Sequence, residues 1–193
     1  MLTLLEQLSP QHGLEIKTPR LRLRPVRAAD LYALHGMRTD PAVMEYMTSG
    51  VDTEPDAEKS HSVVRMQMMM KPGNFAFAVT IGAADDEPAI GFIGIIRPPE
   101  AFFIFSRASW GKGYATEALR AFLTTYWSKF PNGLPQMRHE HEDLLQAYVV
   151  EENDGSSRVL EKAGFKQIGT ATGQIGDRMD VLERVYEIRR SIG

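Results

Sequence analysis

The stretch Trp110-Gly111-Lys112-Gly113-Tyr114-Ala115-Thr116-Glu117-Ala118 decides how this chain is read. It follows an apolar, strand-like segment over residues 101 to 105 and opens a helical period. Ala115, Ala118, Leu119, Phe122, Leu123 and Tyr126 recur at helical spacing and form one apolar stripe. Two glycines straddle Lys112, so the backbone can turn tightly and present bare N–H groups. The first amides of a helix lack intrahelical partners and lie at the positive end of its dipole. A glycine turn feeding a helix start is therefore an anion cradle, typically for phosphate. The spacing is not that of a Walker A loop, because Lys112 lies between the glycines and no hydroxyl follows it directly. A dinucleotide fingerprint would need a third glycine where Thr116 stands, and an acidic residue about 20 positions on in a βαβ unit.

Working outward, residues 74 to 81 and 89 to 96 are apolar, β-rich segments joined across Asp85-Asp86-Glu87-Pro88, which predicts an antiparallel hairpin. Leu21-Arg22-Leu23-Arg24 alternates as a half-buried strand does. Lys17, Arg20, Arg22, Arg24 and Arg27 are then expected on its solvated face. Residues 28 to 37 have helical spacing, and Asp40-Pro41 is a helix start with Asp as cap and Pro at the first position. Thr53-Glu54-Pro55 offers a second start leading into residues 63 to 70, where Met66, Met68, Met69 and Met70 suit a core or a pocket wall. Downstream, Pro131-Asn132-Gly133 ends the long helix and residues 144 to 150 are strand-like. Residues 156 to 163 form a helix stopped by Gly164. Residues 165 to 170 and 181 to 188 close the chain as strands. This order predicts an α/β (α+β) fold with a mixed, mostly antiparallel central sheet of six to seven strands flanked by helices.

The 193 residues suit one domain over 1 to 193, with residues 1 to 15 as an N-terminal extension. No cysteine is present, which excludes disulfides, a zinc ribbon and a thiol nucleophile. A net charge of -3 argues against a nucleic-acid or membrane-surface partner, whose footprint is basic. No apolar run approaches the roughly 18 residues of a membrane span. The opening residues 1 to 8 contain Glu6 and lack the basic flank of a signal peptide, so a soluble, cytoplasmic protein is expected. His139-Glu140-His141-Glu142 departs from H-E-x-x-H spacing and is read as a polar loop, with no metal expected. Trp110 is expected to pack behind the glycine turn and Trp127 at the helix end.

A second constellation runs from Asn153 through Ser156 to Gly164-Phe165. Asn153 between a strand and a helix is either a cap or an amide that donates to and accepts from a ligand. With this segment beside the glycine loop, the sequence resembles the GNAT family, the Gcn5-related N-acetyltransferases, and is most similar to the branch that includes the ribosomal-protein-alanine N-acetyltransferases. Four segments carry the resemblance. They are Thr18-Pro19-Arg20-Leu21-Arg22-Leu23-Arg24 with Asp30, Gly91-Phe92-Ile93-Gly94, the glycine loop through Leu119, and Asn153-x-x-Ser156 through Phe165.

The resemblance implies acetyl-CoA as donor and an amine, on a small molecule or a protein N-terminus, as acceptor. It implies that the loop of Gly111, Lys112, Gly113, Tyr114, Ala115 and Thr116 holds the pyrophosphate. The backbone of Phe103, Ile104 and Phe105 would pair with the pantetheine, and Asn153 and Ser156 would line its thiol end. Many relatives pair up, which leaves a homodimer open. Two positions depart from the family pattern: Ala108 stands where a Gln or Arg often begins the loop, and Leu160 replaces a Tyr that protonates the leaving thiolate. The acid would then be Ser156, a water, or no group at all. Glu100, at the start of the strand nearest the thioester, is the candidate base for the acceptor amine. A non-catalytic acetyl-CoA sensor is the alternative reading, kept open by Leu160 and Ala108. The long segment 131 to 143 either caps the acceptor site or is a plain loop.

Overall fold

The computed structural model describes residues 13 to 82 and 84 to 190. The expected N-terminal extension lies outside the described residues up to position 12. In chain order the strands are β1 (Ile16–Lys17), β2 (Leu21–Pro25), β3 (Phe75–Ile81), β4 (Gly91–Arg97), β5 (Glu100–Phe105), β6 (Leu144–Val150), β7 (Lys166–Ile175) and β8 (Arg178–Arg189). The helices are α1 (Leu31–Arg38), α2 (Pro41–Met44), α3 (His61–Met70), α4 (Tyr114–Lys129) and α5 (Asp154–Ala163). The strands form one eight-stranded sheet in the order β1-β2-β3-β4-β5-β6-β8-β7. Every pair is antiparallel except β5 with β6. The count exceeds the expected six to seven because β1 is two residues long, too short to leave a period-two signal.

Alternation along the central strands divides the core between the two sheet faces. Phe75, Phe77 and Val79 of β3, Ile93 and Ile95 of β4, and Ala101 and Phe105 of β5 face the α4 stripe of Ala118, Leu119, Phe122 and Tyr126. Ala76, Ala78, Phe92 and Ile104 face the other way, toward Leu31, Leu34 and Met37 of α1 and Val63, Met66, Met69 and Met70 of α3. Helix α2 begins as expected, with Asp40 accepting from Ala42 N at 2.9 Å and Pro41 following.

Two expectations are corrected. Helix α3 starts at His61 behind a Ser60 cap rather than near Pro55. Carboxylates cap local turns in the intervening segment instead: Asp56 N donates to Glu54 Oε1 and Glu58 N to Asp56 Oδ1, both at 3.0 Å. The arginines of β2 are not a solvated face either, since Arg22 is 8% exposed and Arg24 3%. Arg24 makes a two-pronged pair with Asp30 (2.8 and 2.7 Å), which lies in the turn over residues 28 to 30 that covers it. Arg22 reaches Glu15 at 2.5 Å and Asp85 at 2.8 Å.

The segment 131 to 143 closes the end of the core rather than a cavity. Leu134 is buried, Met137 packs on the same cluster, and Gln136 Nε2 donates to Gly73 O at 2.6 Å. His139 is a surface residue paired with Glu142 at 2.9 Å. Among the described residues no helix is long and apolar enough to cross a membrane.

Candidate functional site

Strands β5 and β6 are parallel neighbours that meet only at Glu100 and Gln146, where Gln146 N donates to Pro99 O at 3.0 Å. Beyond that point β6 pairs along its whole length with β8 while β5 stays with β4, so the sheet splits. The ladder on the β4 side sets which groups face the split. Ser106 N donates to Ile90 O at 2.9 Å. Hydrogen bonding alternates along an antiparallel pair, so the peptide groups of Phe102 and Ile104 turn to β4 and those of Phe103 and Phe105 turn into the gap. Of the three backbone positions expected to face a ligand, Ile104 is therefore corrected: it contributes its side chain, not its peptide.

The glycine loop stands at the open end of this gap. Gly111 and Gly113 have φ of +72° and +78°, the left-handed region that glycine enters without strain. A Cβ on Gly111 would meet nothing within 4 Å. The first amide after the loop with a backbone acceptor is that of Glu117, which donates to Gly113 O at 3.0 Å. Among the described residues the amides of positions 111 to 116 have no acceptor. They crowd at the N-terminus of the sixteen-residue helix α4. The loop is held from outside by the first strand region. Arg20 Nε donates to Glu117 Oε2 at 2.6 Å, Arg20 Nη1 to Lys112 O at 2.9 Å, and Thr18 Oγ1 to Glu117 Oε1 at 2.5 Å. Burial opposes ionisation of Glu117, but the bonds from Thr18 and Arg20 outweigh it and hold its carboxyl below the usual range. Trp110 does not pack behind the turn: it is 48% exposed, and its indole N–H ties the loop to Phe105 O at 2.9 Å.

Two cavities flank the split. The larger, about 660 Å³, is lined by the loop, by Phe103 to Phe105 and by the start of α5. The smaller, about 200 Å³, lies under α1 and α3 and takes in Arg38, Arg65, Glu100, Tyr148, Leu160 and Glu183. Tyr46, Met47, Phe103, Ile104, Asn153 and Ser156 line both, so the cavities meet there. Asn153 acts as the α5 cap, accepting from Ser156 N at 3.0 Å, while its side chain also lines the junction. The cap reading therefore holds, and the side chain stands where the ligand-facing reading would need it.

Glu100 lines the smaller cavity and is paired with Arg97 at 3.0 Å. Sequence reasoning missed Glu183 of β8, whose carboxyl is pushed above the usual carboxylate range by burial first and by the charge of Glu100 second. Space for that carboxyl exists because Gly173 lies beneath it, where a Cβ would come within 2.4 Å of Glu183 Oε2. Tyr46 was missed as well; burial first, then Glu45, raises its hydroxyl pKa. Neither residue belongs to a local motif, so spacing alone carried no signal for them.

Comparison with known proteins places this geometry in a family context. A family model for the acetyltransferase (GNAT) domain matches residues 20–166. The chain is 27% identical over 161 residues to the uncharacterised N-acetyltransferase YnaD of Bacillus subtilis, covering 81% of this chain and 85% of that one. It is 28% identical over 162 residues to the uncharacterised protein YkkB of the same organism, covering 78% and 84%. Among solved structures, a GNAT-family acetyltransferase from Bacillus anthracis superposes with a TM-score of 0.72 at 24% identity, over 91% of this chain and 98% of that one. The microcin C7 self-immunity acetyltransferase MccE, solved with acetyl-CoA and AMP, superposes with a TM-score of 0.70 at 12% identity, over 90% and 94%. At these identities the two structures speak for the fold alone. None of these relatives singles out the ribosomal-protein-alanine branch.

Proposed function

The chain belongs to the GNAT acetyltransferase family and is an acyltransferase, and from that premise we propose that it moves an acetyl group from acetyl-CoA to a primary amine by direct attack. The observation that carries the reading is the run of acceptor-less amides from Gly111 to Thr116. It opens on a cavity that continues through the split sheet into a second, smaller one. MccE, on the same fold, holds acetyl-CoA.

In this reading the loop amides hold the diphosphate, supported by the helix dipole and by the charge of Lys112 between the two glycines. The peptide groups of Phe103 and the free N–H of Phe105 take the place of the missing β6 ladder for the pantetheine. Asn153 and Ser156 line its thiol end. Bound acetyl-CoA supplies a thioester, whose carbon–sulfur bond breaks as the acceptor nitrogen bonds the acetyl carbon, the sulfur keeping the electron pair. The acceptor must first shed a proton, since an alkylammonium has a pKa near about 10.4. Glu183 and Glu100 are the carboxylates placed to take it. Burial and the Glu100 charge raise the pKa of Glu183, which suits it to the role of base. The hydroxyls of Ser156 and Tyr46 flank the junction and hydrogen-bond the sulfur as it gains charge. Holding both reactants across one junction removes any need for a covalent enzyme intermediate. The setting this assigns is the cytoplasm, where acetyl-CoA is at hand.

The experiment mixes the protein with acetyl-CoA and a panel of amines and follows free thiol. Amine-dependent thiol release is expected, together with stronger thermal stabilisation by CoA than by ATP. Stabilisation by ATP exceeding that by CoA would overturn the assignment of the loop.

A further inference from the structure

The smaller cavity is lined by two side chains of opposite charge, Arg65 and Glu183, that have no ion pair among the described residues. Five acidic or basic side chains line it: Arg38, Arg65, Arg97, Glu100 and Glu183. Arg97 and Glu100 satisfy each other at 3.0 Å. Arg38 has only a loose pair with Asp52, Nε to Oδ2 at 3.7 Å, and its Nη1 donates to Ser49 Oγ at 3.2 Å. Its side chain is 3% exposed, yet its Nε and Nη2 find no hydrogen-bond acceptor. Burial first, and the like charge of Arg65 second, depress the Arg38 pKa, which places the two guanidiniums within electrostatic reach of each other. Among the described residues Arg65 has no ion pair, and neither does Glu183 on the far wall.

Buried N–H groups without acceptors cost about 1–3 kcal/mol each. Such a cluster is the mark of a site that waits for an anion. A planar guanidinium suits a carboxylate in particular. A polyamine would meet two arginines and is disfavoured by like charge. The cavity, at about 200 Å³, is smaller than the roughly 300 Å³ of a drug-sized pocket, which favours a small acceptor over a protein segment.

Resting on the transferase reading above, we propose that the acceptor is a small zwitterion of the amino-acid type, its carboxylate received by Arg65 and Arg38 and its amine turned toward Glu183. One ligand then satisfies the unpaired arginine, the unpaired glutamate and the orphaned donors of Arg38 together, and it delivers the nitrogen to the carboxylate that takes its proton.

The test compares the twenty common amino acids with their primary amides, which keep the amine and lose the anion, in the free-thiol assay and by calorimetry on CoA-loaded protein. At least one acid should be preferred over its amide by about a hundredfold in kcat/KM, since removing an ionic partner strands buried donors. Because Arg38 is buried and its replacement risks the fold, the variant is Arg65→Gln, with Arg65→Lys beside it. Arg65→Gln should shrink the acid-to-amide preference to within about threefold, and Arg65→Lys should keep part of it through charge alone. Amides accepted as well as acids, an unchanged preference in Arg65→Gln, or no amino acid binding or reacting at all would each overturn the proposal. CoA affinity, measured separately in wild type and Gly111→Asp, reports on the transferase reading by itself, so the two failures are distinguishable.

Discussion

Arg20 and Glu117 are 97 positions apart in sequence and 2.6 Å apart in space. The same guanidinium also reaches Lys112 O at 2.9 Å and lies over the Tyr114 ring, 4.8 Å from its centroid. One side chain from the edge of β2 thereby fixes the middle of the glycine loop and the first turn of α4 together.

Arg20→Ala should therefore loosen the loop without unfolding the protein. Arg20 is 47% exposed in its side chain, and an exposed pair of this kind contributes about 0–1 kcal/mol. The expected result is a severalfold higher KM for acetyl-CoA with a small change in melting temperature. An unchanged KM would mean that the loop holds its shape without the bracket.

Gly111→Asp tests the charge in the cradle. The position has φ of +72° and open space around the added Cβ, and Asp and Asn both tolerate that backbone better than other residues. Gly111→Asn serves as the uncharged control. The aspartate should abolish acetyl-CoA binding by calorimetry, while asparagine weakens it modestly. Equal affinities in both would show that no phosphate meets position 111.

The proton acceptor is tested by pH. Glu183 must be ionised to act, and burial together with the Glu100 charge raises its pKa. The acid limb of kcat/KM should accordingly lie above the ordinary glutamate value near about 4.3. Glu100→Gln removes the like charge and frees Arg97, so the limb should move to lower pH. Glu183→Gln should cut kcat/KM by about 10²–10⁴-fold. A limb that stays in place in Glu100→Gln would contradict the coupling.

Asp30 bears on stability. Its carboxylate takes both prongs of Arg24 and also accepts from Arg27 N at 2.8 Å. Arg24 and Asp30 are each 4% exposed in their side chains, so Asp30→Ala strands a buried cation. The expected loss is about 3–5 kcal/mol, read as a lower urea midpoint at unchanged slope. A loss below about 1 kcal/mol would mean that water reaches Arg24.

These residues also show what a sequence can reveal. The glycine loop, the α4 stripe and the Asn153 cap were legible because each is local, with its chemistry and geometry packed into one turn. Alternation in β2 separated the leucines from the arginines. It said nothing of what lay over the arginines, because the turn carrying Asp30 is placed by tertiary packing. Arg38, Arg65 and Glu183 were invisible for the same reason, since α1, α3 and β8 bring them together only once the sheet has formed. Glu183 further depends on Gly173 leaving room beneath it, a relation between neighbouring strands. The split between β5 and β6 follows from β6 choosing β8 as its partner, which no spacing within β5 announces.

The central claim is that main-chain nitrogens at positions 111 to 116 hold the diphosphate of coenzyme A, and a crystal structure of the protein with acetyl-CoA tests it most directly. The account predicts phosphate oxygens within hydrogen-bonding distance of those amides and the pantetheine laid along Phe103 toward Ser156. Acetyl-CoA bound elsewhere, with the loop amides facing only solvent, would contradict it.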